Sequence, residues 1–446
     1  MEKEINKMAF KTHDDYNILN TYHEVALSED YTVVTYQVIT PTKYIYQFAG
    51  AMADEQTTGT WTSVSAETTE LKRKFGAKVV DVVQCPDVND AAAACPDKAY
   101  FVTIAFPRIN YGFDFPMMLS TLMGNISASG KCKMMDIHFP KSYLDGFKGP
   151  KFGIDGLRET LGVQGRPLLN AMIKPNLGWT PEVGAELFYQ AAKGGVDVIK
   201  DDELLSADMP FCLLKERVTR FMEMEKRVFE ETGEHTLYAV NITGEVTKLK
   251  ENAMRALEYG TNCLMVNYYT VGLSAARALA EDPDINVPVL AHVDFLGVLA
   301  GAPQHGMAAH LTMGKLARMA GADFQIFGNP YGKFPIPMVE ALKVCHYATQ
   351  PLYHIKPMMP AISGGTTQAS VGKVCEALGT DIIMAAGGAV HGHPDGSYAG
   401  AKAMRQAIDA AVKGIPAEEY AKEHEELAKA LNLWGLDQSK NFDLMR

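Results

Sequence analysis

The chain has 446 residues, of which 47% are hydrophobic, 21% charged and 9% aromatic. These are the proportions of an ordinary folded protein; they exclude disordered and collagen-like classes and leave room for a large core. Lys and Arg total 42 against 53 for Asp and Glu, a formal charge of −11, which speaks against a sequence-independent grip on the phosphates of a nucleic acid.

No apolar run reaches membrane-spanning length, and the start Met1-Glu2-Lys3-Glu4 lacks the apolar core of a signal peptide. The seven cysteines include no C-x-x-C pair, so neither a disulfide framework nor a zinc ribbon is suggested. The expectation is a cytoplasmic protein with reduced cysteines and no membrane or nucleic-acid partner.

In chain order, Tyr31–Ile39 and Ala99–Phe106 read as strands and Thr42–Ala53 as a helix, which together predict a separate α+β domain over residues 1–150. The stretch Asp136–Gly165, punctuated by Pro140, Gly146, Pro150 and Gly153, reads as the connection. Residues 151–446 then repeat a short apolar run ending in polar or Gly residues, followed by a stretch of helical spacing. Eight such runs are predicted strands: Leu168–Pro175, Val196–Glu203, His235–Thr243, Asn262–Tyr268, Val287–Asp294, Ala322–Asn329, Met358–Gly365 and Asp381–Gly388. Helices are predicted at Thr180–Lys193, Pro210–Thr232, Glu245–Tyr259 and Ala308–Ala320, each stopping near a Gly, and a surface helix at Pro416–Leu433. The pattern is that of an α/β protein with a C-terminal (β/α)8 TIM barrel.

Chemistry in such a barrel sits at the C-terminal strand ends. Here those ends carry Lys174-Pro175-Asn176, Lys200-Asp201-Asp202-Glu203, Asn241, Asn267, His292-Val293-Asp294, Ser363-Gly364-Gly365 and Gly387-Gly388. Alternate residues of a strand share a face, so Lys200 and Asp202 can point together while Glu203 opens the loop. Two carboxylates suit a hard cation such as Mg2+. Lys200 beside them is either a neutralising salt-bridge partner or, if held neutral, an amine that reacts with CO2 to give a carbamate and a third oxygen ligand; the spacing leaves both open. The paired glycines at strands 7 and 8 are either tight turns or a phosphate site built from backbone N–H groups. Lys174 is open to Schiff-base, acid–base or ion-pair roles, and His292 to proton transfer or a satisfied core position.

The run Gly194-Gly195-Val196-Asp197-Val198-Ile199-Lys200-Asp201-Asp202-Glu203 resembles the metal-site signature of the RuBisCO large-subunit superfamily. The resemblance extends along nearly the whole chain, through Glu55-Gln56-Thr57-Thr58-Gly59-Thr60-Trp61, Gly124-Asn125, Ile173-Lys174-Pro175, His305-Gly306, Ser363-Gly364-Gly365 and Gly392-His393-Pro394. It implies an N-terminal α+β domain of ferredoxin-like type. It also implies Mg2+ held by carbamylated Lys200, Asp202 and Glu203, and a homodimer in which Glu55, Thr60, Trp61 and Asn125 of one copy complete the site of the other.

Departures are equally informative. Carboxylases carry Lys-Pro-Lys where this chain has Lys174-Pro175-Asn176, and an arginine where it has Val293; a further histidine is replaced by Leu296, and the strand 6 histidine is lost within Phe324-Gln325-Ile326-Phe327. In the family the lost arginine and strand 6 histidine hold the second phosphate of a bisphosphate. Groups for the first phosphate remain at Thr60, Trp61, Ser363, Gly364, Gly365, Gly387 and Gly388, and Lys333 matches the mobile-loop lysine, although Asn329-Pro330-Tyr331-Gly332 before it is unlike the carboxylase loop.

The resemblance thus points to a RuBisCO-like, non-carboxylating member acting through an enolate on a ketose monophosphate or sugar-acid phosphate. Proton transfer would fall to Lys174, His292 or the carbamate, with Asp294 and Asn176 touching the part of the substrate that differs from ribulose bisphosphate. Both enolisation or isomerisation and decarboxylation are open to such a site. The rival readings are a working carboxylase, a non-catalytic binding or regulatory protein, and a Schiff-base aldolase on Lys174.

Overall fold

The computed structural model describes residues 24, 25, 27–85 and 97–436. The chain forms two compact units, one extending to Phe147 and taking in Leu296–Thr312, the other comprising Lys148–Phe295 and the chain from Met313 onward.

In the first unit β1 (Tyr31–Pro41) alternates buried and half-buried positions along most of its length, as a strand does when one face packs on a core. Helix α1 (Ile45–Glu55) buries Ile45, Ala49, Met52 and Ala53, one helical face. Strands β2 (Lys78–Gln84) and β3 (Asp97–Pro107), helix α2 (Phe115–Met123) and strand β4 (Cys132–His138) follow. The Asp114 carboxylate starts α2 by accepting from the Met117 N–H at 2.9 Å. The strands lie in the order β4-β1-β3-β2, with antiparallel pairing throughout. That βαββαβ order is the ferredoxin-like arrangement expected. The returning segment adds a two-residue strand, Gly306–Met307, parallel to β4.

The second unit closes eight parallel strands into a barrel: β5 (Leu168–Met172), β6 (Val198–Lys200), β7 (Leu237–Asn241), β8 (Cys263–Asn267), β9 (Val289–His292), β10 (Phe324–Gly328), β11 (Met359–Ser363) and β12 (Ile383–Ala385), with β12 pairing back onto β5. Each lies inside one of the eight predicted runs; the residues trimmed from the C-terminal ends include Lys174, Asp201, Asp202, Glu203, Asp294 and the two glycine pairs. Leu168, Val198, Met265, Leu290, Phe324 and Met359 are among the side chains that fill the interior. Each contributes about 1.5 to 3 kcal/mol by leaving water.

Three predicted helices fall close to expectation: Pro181–Lys193, with the Thr180 hydroxyl as its N-cap; Leu214–Thr232, ended by left-handed Gly233; and Val246–Glu258. The others need correction. Thr42–Ala53 splits into a 3-10 turn, Thr42–Tyr44, and α1. Ala308–Ala320 is wound wide over Leu311–Leu316 and only then becomes α-helical, and its first residues belong to the first unit. Pro416–Leu433 breaks at His424, whose extended backbone separates Ala417–Tyr420 from Glu425–Trp434.

At the N-terminal end of the barrel, buried charges tie strands to their surroundings. Asp323 accepts from the Phe152, Gly153 and Val289 N–H groups at 2.7, 2.9 and 2.8 Å. Asp197 takes a two-pronged bond from Arg166, both prongs 2.7 Å, and the Leu169 N–H at 2.7 Å. Arg158 is nearly buried and donates to Asp381 and to the Val163, Arg166 and Thr380 carbonyls.

Candidate functional site

At the other end of the barrel the strands deliver charged side chains to one place. Lys200, the last residue of β6, is fully buried, and its Nζ donates to Glu203 Oε2 and to the Asp201 carbonyl, both at 2.9 Å. Lys174, just past β5, donates to Asp202 Oδ2 and to Asn176 Oδ1, both at 2.7 Å. His292 ends β9 with Nε2 at 3.4 Å from Glu203 Oε2 and Nδ1 at 3.4 Å from Asp294 Oδ1. Seven of the predicted residues therefore fall into two linked sets, 176–174–202 and 200–203–292–294, joined where Asp202 and Glu203 are adjacent in the chain.

Burial alone would raise the Glu203 carboxyl, but the Lys200 ammonium and then His292 outweigh it and hold it at about 2. Glu203 is an ionised acceptor throughout the physiological range.

Residues to which the sequence reading gave no individual role hold this cluster in place, three of them, Asp201, Asn241 and Asn267, already named as polar strand ends. Asp201, between Lys200 and Asp202, points the opposite way by strand alternation. It accepts from the Tyr238 hydroxyl at 2.6 Å and the Asn241 N–H at 2.9 Å, and pairs with Arg217 at 3.1 Å, all three side chains being fully buried. Burial and then the Asp201 charge push the Tyr238 phenol well up, which keeps it a donor. The Asn241 and Asn267 amides, at the ends of β7 and β8, both donate to the Glu203 carbonyl, at 3.0 and 3.2 Å. The alternation at Asp201 is readable from spacing; its partners, 16 and 37 residues further on in Arg217 and Tyr238, are not.

The glycine pairs follow β11 and β12 at the same end of the barrel. Gly364 and Gly365 both adopt left-handed φ, 90° and 85°, conformations that a side chain would strain. Gly387 and Gly388 open the short helix Gly387–His391 after β12, and a Cβ on Gly387 would stand 2.8 Å from Met172 Sδ. In that helix burial, and next the Lys174 ammonium, press the His391 imidazole down to about 4 against the pull of the Met172 carbonyl, so it is neutral. The loop carrying Lys333 is bound to the Gly364 turn, with the Lys333 N–H donating to the Gly364 carbonyl at 2.8 Å. The remaining predicted residues are in the first unit. Asn125 Nδ2 donates to Glu55 Oε1 at 2.9 Å; Thr60 and Trp61 follow α1 and are exposed, Trp61 to 84%.

Two donor sets for a cation share Glu203. Glu203, His292 and Asp294 bring ligand atoms within 4.8 Å of one another. Asp202 and Glu203 form the all-oxygen alternative with Lys200, but as the residues stand each of those carboxylates is neutralised by an ammonium at 2.7 or 2.9 Å. Converting the Lys200 amine to a carbamate would exchange a repelling cation for oxygen donors and give three anionic side chains, a set that fits Mg2+.

The domain model described as "Ribulose bisphosphate carboxylase large chain, catalytic domain" matches residues 153–335 and 337–434, and the N-terminal domain model of the same chain matches residues 21–143. The chain belongs to the RuBisCO large-chain family. Among curated relatives of this family member, a ribulose bisphosphate carboxylase-like protein of Archaeoglobus fulgidus is 48% identical over 91% of the chain and 94% of its own length. A 2,3-diketo-5-methylthiopentyl-1-phosphate enolase of Geobacillus kaustophilus is 38% identical over 85% and 92%. Among solved structures, a rubisco-like protein (MtnW) from Alicyclobacillus acidocaldarius superposes with a TM-score of 0.83 at 34% identity, covering 91% of this chain and all of that one. An octameric Rubisco from Pyrococcus horikoshii superposes at 0.86 and 32%, covering 96% and 98%. Among the described residues no helix is long and apolar enough to cross a membrane.

Proposed function

We propose that this family member is a RuBisCO-like enzyme that carries out enolate chemistry on a phosphorylated ketose or sugar acid bearing one phosphate, and does not fix CO2 on ribulose bisphosphate. The observation that carries the reading is the gathering of Lys174, Lys200, Asp202, Glu203 and His292 at one barrel end, combined with the loss of the arginine and the strand 6 histidine that a second phosphate would need. The Val293 side chain packs against the barrel core and cannot donate to an anion, and the strand 6 histidine is absent from Phe324-Gln325-Ile326-Phe327. Losing a charge-assisted bond at each position removes about 1.5 to 3 kcal/mol apiece.

Asp202, Glu203 and Lys200 as its carbamate would hold Mg2+. When bound, the cation supplies Lewis-acid polarisation of a substrate carbonyl. The chain's own groups do the rest. Lys174, held between Asp202 and Asn176, would move a proton on the adjoining carbon, and His292, beside Glu203, would be a second proton carrier. Glycines 364, 365, 387 and 388, with Lys333, would take the phosphate. In a homodimer, Glu55, Thr60, Trp61 and Asn125 of one copy would complete the site of the other.

Enolisation of a diketo monophosphate comes first among the open reactions, because relatives at 36 to 38% identity carry that enolase name; decarboxylation of a branched 3-oxo sugar-acid phosphate is the alternative. Proton NMR in D2O with Mg2+ and bicarbonate tests this on methylthioribulose 1-phosphate, the matching 2,3-diketo compound and a branched 3-oxo sugar-acid phosphate. Exchange or rearrangement without carbon loss is the expected result. Loss of CO2 would replace enolase by decarboxylase, and labelled CO2 fixed on ribulose bisphosphate would overturn the reading.

A further inference from the structure

The loop Asn329-Pro330-Tyr331-Gly332, which departs from the carboxylase pattern, is fastened to the turn after β11 chiefly through Asn329. Asn329 is completely buried, and all four of its polar groups are engaged. Its N–H donates to the Ser363 carbonyl at 2.8 Å, its carbonyl accepts from the Gly332 N–H at 2.9 Å, its Nδ2 donates to Thr366 Oγ1 at 3.0 Å, and its Oδ1 accepts from the Tyr331 N–H at 2.9 Å. Thr366 is itself only 2% exposed. The loop lies so close to the turn that a Cβ on Gly332 would stand 1.8 Å from the Gly364 carbonyl oxygen. The Lys333 N–H donates to that same oxygen.

We propose that Asn329 is a positioning residue that locks the Lys333 loop onto the Ser363–Thr366 turn, making the two a single preformed cradle for the substrate's phosphate. The inference rests on the reading of this turn as the phosphate site. Its physical basis is the division of labour at Asn329. Backbone bonds to Ser363 and Gly332 would survive substitution, whereas the side-chain amide alone spans from the Tyr331 N–H in one loop to the Thr366 hydroxyl in the next. Without it the turn keeps its left-handed glycines, and only backbone bonds, from Asn329 to Ser363 and from Lys333 to Gly364, still hold the loop against them. The bond to Thr366 is buried and that to the Tyr331 N–H half-buried, so the Thr366 hydroxyl, left unmade, keeps a desolvation penalty that favours opening. A loop pinned in this way also differs from a lid that closes only over bound ligand, because the anion meets a site whose ordering is already complete.

The test compares wild type with Asn329→Ala and, as a milder cut of the same link, Thr366→Val. Three quantities are measured on the full-length protein: affinity for inorganic phosphate by calorimetry, the rate of tryptic cleavage after Lys333 read by mass spectrometry, and Tm. The expected result is phosphate affinity down about tenfold in Asn329→Ala and severalfold in Thr366→Val, faster cleavage after Lys333 in both, and Tm within a few degrees of wild type. Unchanged cleavage would show that Asn329 does not hold the loop and would overturn the proposal. Faster cleavage with unchanged phosphate affinity would overturn it by separating loop from cradle. If wild type takes up no phosphate, the phosphate reading of the turn fails and the cradle with it, while the cleavage rates still report separately whether Asn329 pins the loop.

Discussion

The two ends of the barrel bury similar charges to opposite effect. At the N-terminal end each buried ion has a full set of partners: Asp323 takes three backbone N–H groups, Asp197 a two-pronged Arg166 and an N–H, and Arg158 a carboxylate and three carbonyls. At the C-terminal end Lys174 and Lys200 neutralise Asp202 and Glu203 one for one, and two polar atoms among them stay unmatched. Asn267 Oδ1 is buried without a partner, and His292 Nδ1 faces Asp294 at 3.4 Å without the alignment of a hydrogen bond. Saturated ions hold strands in register, whereas under-saturated ones keep a capacity for a ligand, a cation or a proton. The same barrel therefore separates stability from chemistry along its axis.

The largest effect should come from removing the charge on which that capacity depends. Lys200→Met is expected to abolish Mg2+-dependent turnover, a loss of at least roughly a thousandfold, and bicarbonate-dependent uptake of Mn2+ measured by EPR, while leaving the fold intact. Full activity in this variant would remove the carbamate from the mechanism. The opposite end supplies the contrast. Asp323→Ala strands three buried N–H donors and should lower unfolding free energy by about 3 kcal/mol or more, read by urea denaturation, with turnover per folded molecule unchanged. Equal loss of turnover and stability in both variants would erase the distinction between the ends.

Part of this contrast is legible in the amino-acid sequence. The strand ends stand out because apolar runs stop abruptly in residues such as Lys200, Asn241, Asn267 and His292, and a barrel gathers such endings in one place whatever its helices do. The first unit is less legible. Lys78–Gln84 and Cys132–His138 lack clean alternation, carrying Val79-Val80, Val82-Val83 and Met134-Met135 pairs, and each becomes a strand by pairing with β3 or β1. Within the site, the convergence of Lys200 with Glu203 follows from spacing on one short segment. The link from Asp201 to Arg217 and Tyr238, or from Asn329 to Thr366, needs the fold first, because no local pattern marks residues that meet only through tertiary packing.

Smaller effects sharpen the division within the C-terminal end. Lys174→Met keeps both carboxylates and Lys200, so metal uptake should persist while turnover falls roughly a hundredfold or more; loss of Mn2+ binding instead would make Lys174 a structural partner of Asp202. His391 tests the neighbouring helix. Its folded imidazole titrates at about 4, below the 6.5 of an unfolded chain, so the folded state resists protonation. The stability it allows is complete above pH 6.5 and is lost as pH falls toward 4, amounting to about 2 kcal/mol at pH 5. His391→Gln should remove that part of the acid loss in urea titrations at pH 7.5 and 5, and an unchanged difference would place the acid sensitivity elsewhere.

The smallest expected effect concerns backbone strain beside His292. Phe295, immediately after Asp294, holds φ at 71° although it is not glycine, and its side chain is largely exposed, so packing does not compensate the conformation. A left-handed phenylalanine costs about 1 to 2 kcal/mol, and asparagine tolerates the same φ better. Phe295→Asn should therefore raise stability by about 0.5 to 1 kcal/mol. Because asparagine keeps the same φ at lower cost, the Asp294 carboxylate should stay 3.4 Å from His292 Nδ1 and turnover should be unchanged. A gain in stability accompanied by a severalfold fall in turnover would show instead that the phenylalanine side chain, and not the left-handed backbone, holds Asp294 beside His292.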